Sequence, residues 1–271
     1  MSTTIAVIGA GNIGEALISG LVNSGVNPET ITATNRTEAR REELTQRYGV
    51  ITTDDNVEAV TDAEVCFLCV KPYAIAEMIE ELSDAIAAND TSTVLVSMAA
   101  GVTLDAMSEA VSSAGTPLAR VMPNTPMQVG KGVCVVSFGR FVEEDQRELV
   151  TDLLGATGEV VVVPEKLIDA ASAISGSGPA YFFMIAEALV DSAVSLGLPR
   201  ETATALATAT AEGAGAMLAH SGKTPVELRA SVSSPAGTTV AAIRELEESG
   251  VRGAFYRATE AATSRAGEIG K

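Results

Sequence analysis

The sequence predicts an α/β protein in two parts: a doubly wound parallel sheet, then an all-helical C-terminal domain. Three observations carry this. Short apolar strands alternate with amphipathic helices through the first half. A glycine-rich turn, Gly9-Ala10-Gly11-Asn12-Ile13-Gly14, joins the first strand to the first helix. From Lys166 onward the β-branched runs stop, and Ala, Glu, Leu and Thr dominate. Strand–helix alternation implies a parallel sheet covered on both faces. The 271 residues suit about two domains, and the boundary is expected near Pro164, giving segments 1–164 and 165–271.

Thr4–Gly9 reads as a buried strand and Asn12–Ser24 as a helix. Thr30–Thr34 is a strand and Glu38–Tyr48 a charged amphipathic helix. Strand Val65–Val70 precedes helix Ala74–Ala87, and strand Thr93–Met98 precedes helix Leu104–Ser113. Further strands are expected at Gly132–Phe138 and Glu159–Val163, with helix Glu143–Leu154 between them. The second half divides into four or five helices at Ser175–Gly178, Gly197–Pro199, Ser221-Gly222 and Ser233–Gly237. The helix around Tyr181–Leu196 is apolar on most faces. It must therefore be buried, and a second subunit is the natural cover for so thin a helical domain.

Composition removes several function classes. The chain carries 18 Lys+Arg (13 Arg and 5 Lys) against 35 Asp+Glu, a net charge of −17 at pH 7. Nucleic acid and anionic membrane surfaces would be repelled. A hydrophobic fraction of 46% excludes a disordered acidic chain. Acid excess with scarce Lys resembles proteins of a salty cytoplasm, where self-repulsion is screened within about 3 Å at 1 M. Met1–Ile5 shows no basic leader and no run of 18 apolar residues occurs, so a cytoplasmic chain without a membrane span is expected. Cys66 and Cys69 form a C-x-x-C, but inside a strand they point to opposite faces and suit packing better than a metal or a disulfide. The single histidine, His220, precedes Ser221-Gly222 and reads as a helix-end residue.

The glycine run sits where a dinucleotide fingerprint requires it, after a strand and opening a helix. Gly9 allows the tight turn, Gly11 lets a pyrophosphate approach the backbone, and Gly14 permits close helix–strand packing. The next strand ends in Thr34-Asn35-Arg36-Thr37 rather than in a carboxylate. Arg36 suits a 2′-phosphate, so NADPH is preferred, with NADH the second candidate because Glu38 lies close by. Lys71-Pro72 and Ser97–Gly101 follow other strands, where a ligand crevice is expected. Asn124-Thr125, bracketed by Pro123 and Pro126, makes a rigid polar loop beyond another. In the helical half, Ser233–Thr239 places four hydroxyls beside a helix start, which serves either as a carboxylate cradle or as ordinary N-capping.

Seven motifs occur in order: GAGNIG, VKP, SMAAGV, RVMPNTP, SGSGPAY, GLPR and SSPAGTT. Over essentially its full length the chain resembles the pyrroline-5-carboxylate reductase family, and the last three motifs lie outside the generic nucleotide-binding half. The resemblance implies an N-terminal Rossmann domain and a C-terminal dimerisation domain. It implies reduction of 1-pyrroline-5-carboxylate to L-proline with NAD(P)H, in dimers or a ring of five dimers. It carries cofactor contacts to Gly9, Ala10, Gly11, Asn12, Ile13, Gly14, Asn35, Arg36, Asn56, Val70, Lys71, Ala99 and Ala100. It carries substrate contacts to Glu165, Ser234, Gly237, Thr238 and Thr239. Thr239 is then the hydroxyl nearest the ring nitrogen and the catalytic candidate. The chain departs from the family at Ala236, where glycine is common, and at Gly14, where alanine is common. No metal is needed for such chemistry. The rival readings are another NADP-linked imine or 3-hydroxyacid reductase of similar plan, and a non-enzymatic dinucleotide-binding protein. The hydroxyacid class relies on a lysine in its interdomain helix, and no Lys occurs between Lys166 and Lys223.

Overall fold

The protein is described by a computed structural model covering residues 3–269; Met1, Ser2, Gly270 and Lys271 lie outside the described residues. One sheet organises the first part. Its strands are β1 (Ile5–Ile8), β2 (Ile31–Thr34), β3 (Ile51–Thr53), β4 (Val65–Leu68), β5 (Val94–Ser97), β6 (Leu118–Met122), β7 (Gly132–Phe138) and β8 (Gly158–Val162). They lie in the order β3-β2-β1-β4-β5-β6-β7-β8. The first six run parallel, with Ile5 paired to both Ile31 and Val65. This is a Rossmann sheet with two added strands.

The pair β6–β7 is antiparallel, with Val121 opposite Val136. This one pair departs from the parallel arrangement that the strand–helix alternation implies. The connection, residues 123–131, holds only a 3-10 turn at Thr125–Val129 and is too short for a parallel crossover. Strands β7 and β8 are again parallel to each other because helix α6 (Glu144–Gly155) crosses between them.

Apolar residues on the two faces form separate cores. Val7, Leu17, Leu21, Phe67, Val96 and Leu154 belong to one; Ile8, Leu68, Ile79, Leu82 and Leu95 belong to the other. Helices α1 (Asn12–Asn23), α2 (Glu38–Tyr48), α3 (Asn56–Val60), α4 (Ile75–Ala88) and α5 (Leu104–Ala110) supply the cover. Cys66 joins the second core while Cys69 packs against the first, so the C-x-x-C thiols do face opposite ways. Burial pushes the Cys69 thiol up to about 12 and raises Cys66 and Cys134 as well. At neutral pH all three are protonated and chemically quiet.

Strand β3 and helix α3 are additions to the elements expected, both too short to leave a periodic signal. The helical half contains α7 (Ile168–Ser175), α8 (Gly178–Ser195), α9 (Arg200–His220), α10 (Pro225–Ser231), α11 (Thr238–Glu248) and α12 (Val251–Ile269). That is one helix more than expected, because Ser249-Gly250 is a further break, with Gly250 at φ 72°. His220 closes α9.

Two compact units divide the chain at Gly176–Ser177, twelve residues beyond the expected boundary at Pro164 (164 to 176). The stretch from Ala262 groups with the first unit. Residues 165–176 group there too, for a visible reason. Arg120 on β6, its side chain only 6% exposed, pairs with Glu165 at 3.4 Å and Asp169 at 3.0 Å. Asn124 donates to the Ser175 carbonyl at 2.9 Å and accepts from the Val133 amide at 2.8 Å.

Within the second unit α8 packs on α9, and Tyr181 meets Phe255 edge-on at 6.3 Å. Yet Phe182, Phe183 and Met184 are 66%, 65% and 62% exposed. Within one chain, then, the apolar helix is not buried as its composition demands. The stretch Glu165–Ser195 is even long and apolar enough, by length and composition alone, to cross a membrane.

Candidate active site

The carboxyl ends of five neighbouring strands, β3-β2-β1-β4-β5, gather every residue expected at the cofactor. In an open α/β sheet that edge is the ligand crevice, and strand order reverses at β1, between β2 and β4. Gly9 follows β1 at φ 84°, and a Cβ there would meet Val70 Cγ1 at 2.8 Å. Its N–H donates to Thr34 Oγ1 at 3.0 Å, and Ala10 N–H donates to the Thr34 carbonyl at 2.8 Å. The turn is thereby locked to β2.

Gly11 caps α1 without any side-chain cap. The first-turn N–H groups of Asn12, Ile13 and Gly14 are thus offered to an anion, with the helix dipole behind them. A Cβ on Gly11 would meet nothing closer than Gly9 O at 4.0 Å, whereas one on Gly14 would crowd Gly9 O at 3.1 Å and Val7 Cγ1 at 3.2 Å. Gly14 is therefore a packing glycine, and Gly11 keeps open the space above the helix.

Asn35 latches the second loop. Its Nδ2 donates to the Ala10 carbonyl at 3.2 Å, and its Oδ1 accepts from Thr37 N–H at 3.0 Å. Arg36 is exposed beside it. Glu38 opens α2, where a carboxylate suits the helix N-terminus. Asn56 is the first residue of α3 and donates to Glu81 Oε1 at 3.1 Å. Val70 and exposed Lys71 follow β4, and Ala99 and Ala100 follow β5, where Ala99 N–H donates to Ser97 Oγ at 3.3 Å. An open glycine cradle, an uncapped helix and an exposed guanidinium after β2 fit a dinucleotide carrying a 2′-phosphate.

Glu165 sits in a 3-10 turn after β8. Its Oε1 accepts from Leu104 N–H at 2.7 Å, at the start of α5, and from Arg120. The Arg120 ion pairs join β6 to positions 45 and 49 residues away, which no local pattern discloses.

The remaining candidates belong to the second unit. Ser233–Gly237 connects α10 to α11, and Ala236 there stands at φ 59°. A Cβ on Gly237 would press on Ser234 Oγ at 2.6 Å and on the Ser234 carbonyl oxygen at 3.0 Å, so a larger residue here must displace the Ser234 hydroxyl. Gly237 caps α11 with no side-chain bond. The N-capping alternative is therefore not realised, and the amides of Thr238 and Thr239 remain available as donors. Thr239 is half-buried; Ser234 and Thr238 are exposed. Helix α8 contains no lysine.

Two family models match. Residues 165–269 match pyrroline-5-carboxylate reductase dimerisation, and residues 4–101 match NADP oxidoreductase, coenzyme F420-dependent. A pyrroline-5-carboxylate reductase of Corynebacterium melassecola is 56% identical over 269 residues, 99% of each chain. The solved pyrroline-5-carboxylate reductase of Coxiella burnetii superposes with a TM-score of 0.95 at 37% identity, covering 100% of both chains. The Plasmodium falciparum pyrroline carboxylate reductase, solved with NADP bound, gives 0.85 at 26% identity over 99% of this chain and 98% of that one. Likeness to a Mycobacterium tuberculosis 3-hydroxyisobutyrate dehydrogenase is weaker, a TM-score of 0.53 at 18% identity over 73% of this chain and 67% of that one, and speaks for shared fold alone. With identity this high across its whole length, the chain belongs to the pyrroline-5-carboxylate reductase family.

Proposed function

We propose that the protein reduces 1-pyrroline-5-carboxylate to L-proline with NADPH, the last step of proline biosynthesis, in the cytoplasm. Full-length likeness to reductases of that name carries this reading, and the carboxyl-edge geometry agrees with it. NADPH, when bound, supplies a hydride from C4 of its nicotinamide to the imine carbon.

The protein's part is to hold, orient and protonate. The amides of α1 after Gly11 take the pyrophosphate, and Arg36 with the loop latched by Asn35 takes the 2′-phosphate. Asn56, Val70, Lys71, Ala99 and Ala100 line the rest of the crevice. The uncapped start of α11 offers the Thr238 and Thr239 amides to the substrate carboxylate. Ser234 and Gly237 shape that cradle, and the family resemblance adds Glu165 as a further substrate contact. The Thr239 hydroxyl donates a hydrogen bond to the ring nitrogen, where a proton must reside once the hydride arrives. Mixing the protein, NADPH and 1-pyrroline-5-carboxylate is expected to consume the reduced nicotinamide. Thr239→Ala is expected to lower kcat by about 10- to 100-fold while leaving the Kd for NADPH unchanged. An unchanged kcat would remove Thr239 from the chemistry.

The exposed face of α8 is covered by a second copy of the chain rather than by lipid. The working unit is a homodimer, which can assemble further into a ring of five dimers, and neither nucleic acid nor membrane is a partner. The −17 charge suits a salty cytoplasm. Raising NaCl from dilute buffer to 1 M is expected to raise the melting temperature by several degrees, since about 1 kcal/mol moves it by about 2–4 °C in a chain of this size. A melting temperature that stays flat or falls would undo this assignment of the acidic surface.

A further inference from the structure

Four arginines follow β2, and three of them are committed. Arg40 pairs with Glu15 Oε2 through Nη2 and with Glu43 Oε2 at 2.6 Å through Nη1. Arg41 donates to the Asn35 carbonyl at 2.8 Å and lies 3.4 Å from Asp54. Arg47 donates to Glu15 Oε1 at 2.8 Å. Arg36 takes part in no ion pair among the described residues.

Glu15 is the hub of this arrangement. It lies in the first turn of α1, just beyond the phosphate-facing amides, and also accepts from the Tyr48 hydroxyl at 3.0 Å. Its side chain is 20% exposed and that of Arg40 22%. Burial acts to raise the Glu15 pKa, but the hydrogen bonds of Arg40 and Tyr48 and the charges of Arg40 and Arg47 outweigh it and hold the carboxyl below its usual range. Glu15 is therefore ionised at neutral pH.

We propose that Glu15 sets the cofactor preference by withholding Arg40 from a 2′-phosphate held at Arg36. Arg40 is in the first turn of α2, with its N–H donating to the Thr37 carbonyl at 3.1 Å. Helical side chains lean toward the helix N-terminus, so a freed Arg40 fork can swing toward the helix start that follows Arg36. NADH lacks the phosphate and has nothing there for Arg40 to meet. On this proposal the native chain reads the 2′-phosphate with Arg36 alone while Arg40 stays tied to Glu15.

The inference rests on the reading of the carboxyl edge as an NAD(P) site, and binding without imine tests it separately from catalysis. The probes are NADPH and NADH, titrated by fluorescence against wild type, Glu15→Gln, and Glu15→Gln combined with Arg40→Gln. A cavity of about 500 Å³ lined by Asn12, Glu15, Arg47 and Tyr48 lets water solvate the new amide, so the variant should fold; its melting temperature checks this. In Glu15→Gln the Kd for NADPH is expected to fall about three- to tenfold relative to that for NADH, and the gain should vanish in the double variant. An unchanged ratio, equal weakening of both cofactors (as loosened α1–α2 packing alone would give), or a gain that survives Arg40→Gln each overturns the proposal. A wild type that binds neither dinucleotide overturns the underlying NAD(P) reading and this proposal with it.

Discussion

Gly158→Ala is expected to destabilise the protein by about 3–5 kcal/mol, a large part of the total stability of a typical domain. Gly158 opens β8 opposite Gly132 of β7. A Cβ there would stand 2.1 Å from the Gly132 carbonyl oxygen and 2.5 Å from its nitrogen. Those are backbone atoms of a paired strand and cannot rotate aside as a side chain would. The Gly158 φ of 144° adds strain for any L-residue. Nor can the neighbour yield: Gly132 N–H is bonded to the Thr157 carbonyl at 2.8 Å, and its own side-chain direction is filled by Met127 at 2.7 Å. Denaturant midpoints at fixed protein concentration read the effect. A loss below about 1 kcal/mol would mean that the two strands separate more easily than their register suggests.

Gly11→Ala is expected to do the opposite: leave the fold alone and remove the cofactor. The added methyl meets no protein atom nearer than 4.0 Å, and Gly11 has an ordinary φ of −81°. Stability should change by less than about 1 kcal/mol, the range for an N-cap change. The same methyl, however, occupies the space through which a pyrophosphate must reach the α1 amides. Loss of about 3 kcal/mol of contact corresponds to about a 100-fold weaker Kd for NADPH. Melting curves and NADPH titration on one preparation give both readings. Tight binding in Gly11→Ala would show that the phosphates do not lie on this helix.

These two glycines also show what a sequence discloses and what it hides. Gly11 is legible because its role is local: strand, glycines and helix follow within ten residues. Gly158 is not, because its constraint comes from Gly132 across the sheet. The same division holds elsewhere. Strands β1, β2 and β7 and helices α1 and α2 stand at or within a residue or two of their expected bounds, the strands carried by β-branched and apolar runs and the helices by their period. Strand β3, Ile-Thr-Thr, and the five-residue α3 have no room for a period. The reversal at β7 follows from a short connection whose meaning appears only once β6 and β7 are seen to pair. At the site, the glycines, Asn35, Arg36 and the Ser234–Thr239 loop are readable from motif. The Arg120 ion pairs with Glu165 and Asp169, and the Glu15 hub, join residues tens of positions apart. Nothing in the spacing of those residues announces them.

Ala236 carries a different kind of consequence. Among the described residues it is one of two non-glycine residues at positive φ, and it lies in the loop proposed to hold substrate. An alanine held left-handed costs about 1–2 kcal/mol in the folded chain. Glycine would avoid that cost but would let the segment sample many more conformations before ligand arrives. Alanine thus trades enthalpic comfort for a narrower ensemble. A loop that is already narrow surrenders less freedom when a carboxylate is captured. On this view the methyl of Ala236, touching no ligand itself, shifts part of the entropy cost of binding from the moment of capture to the moment of folding.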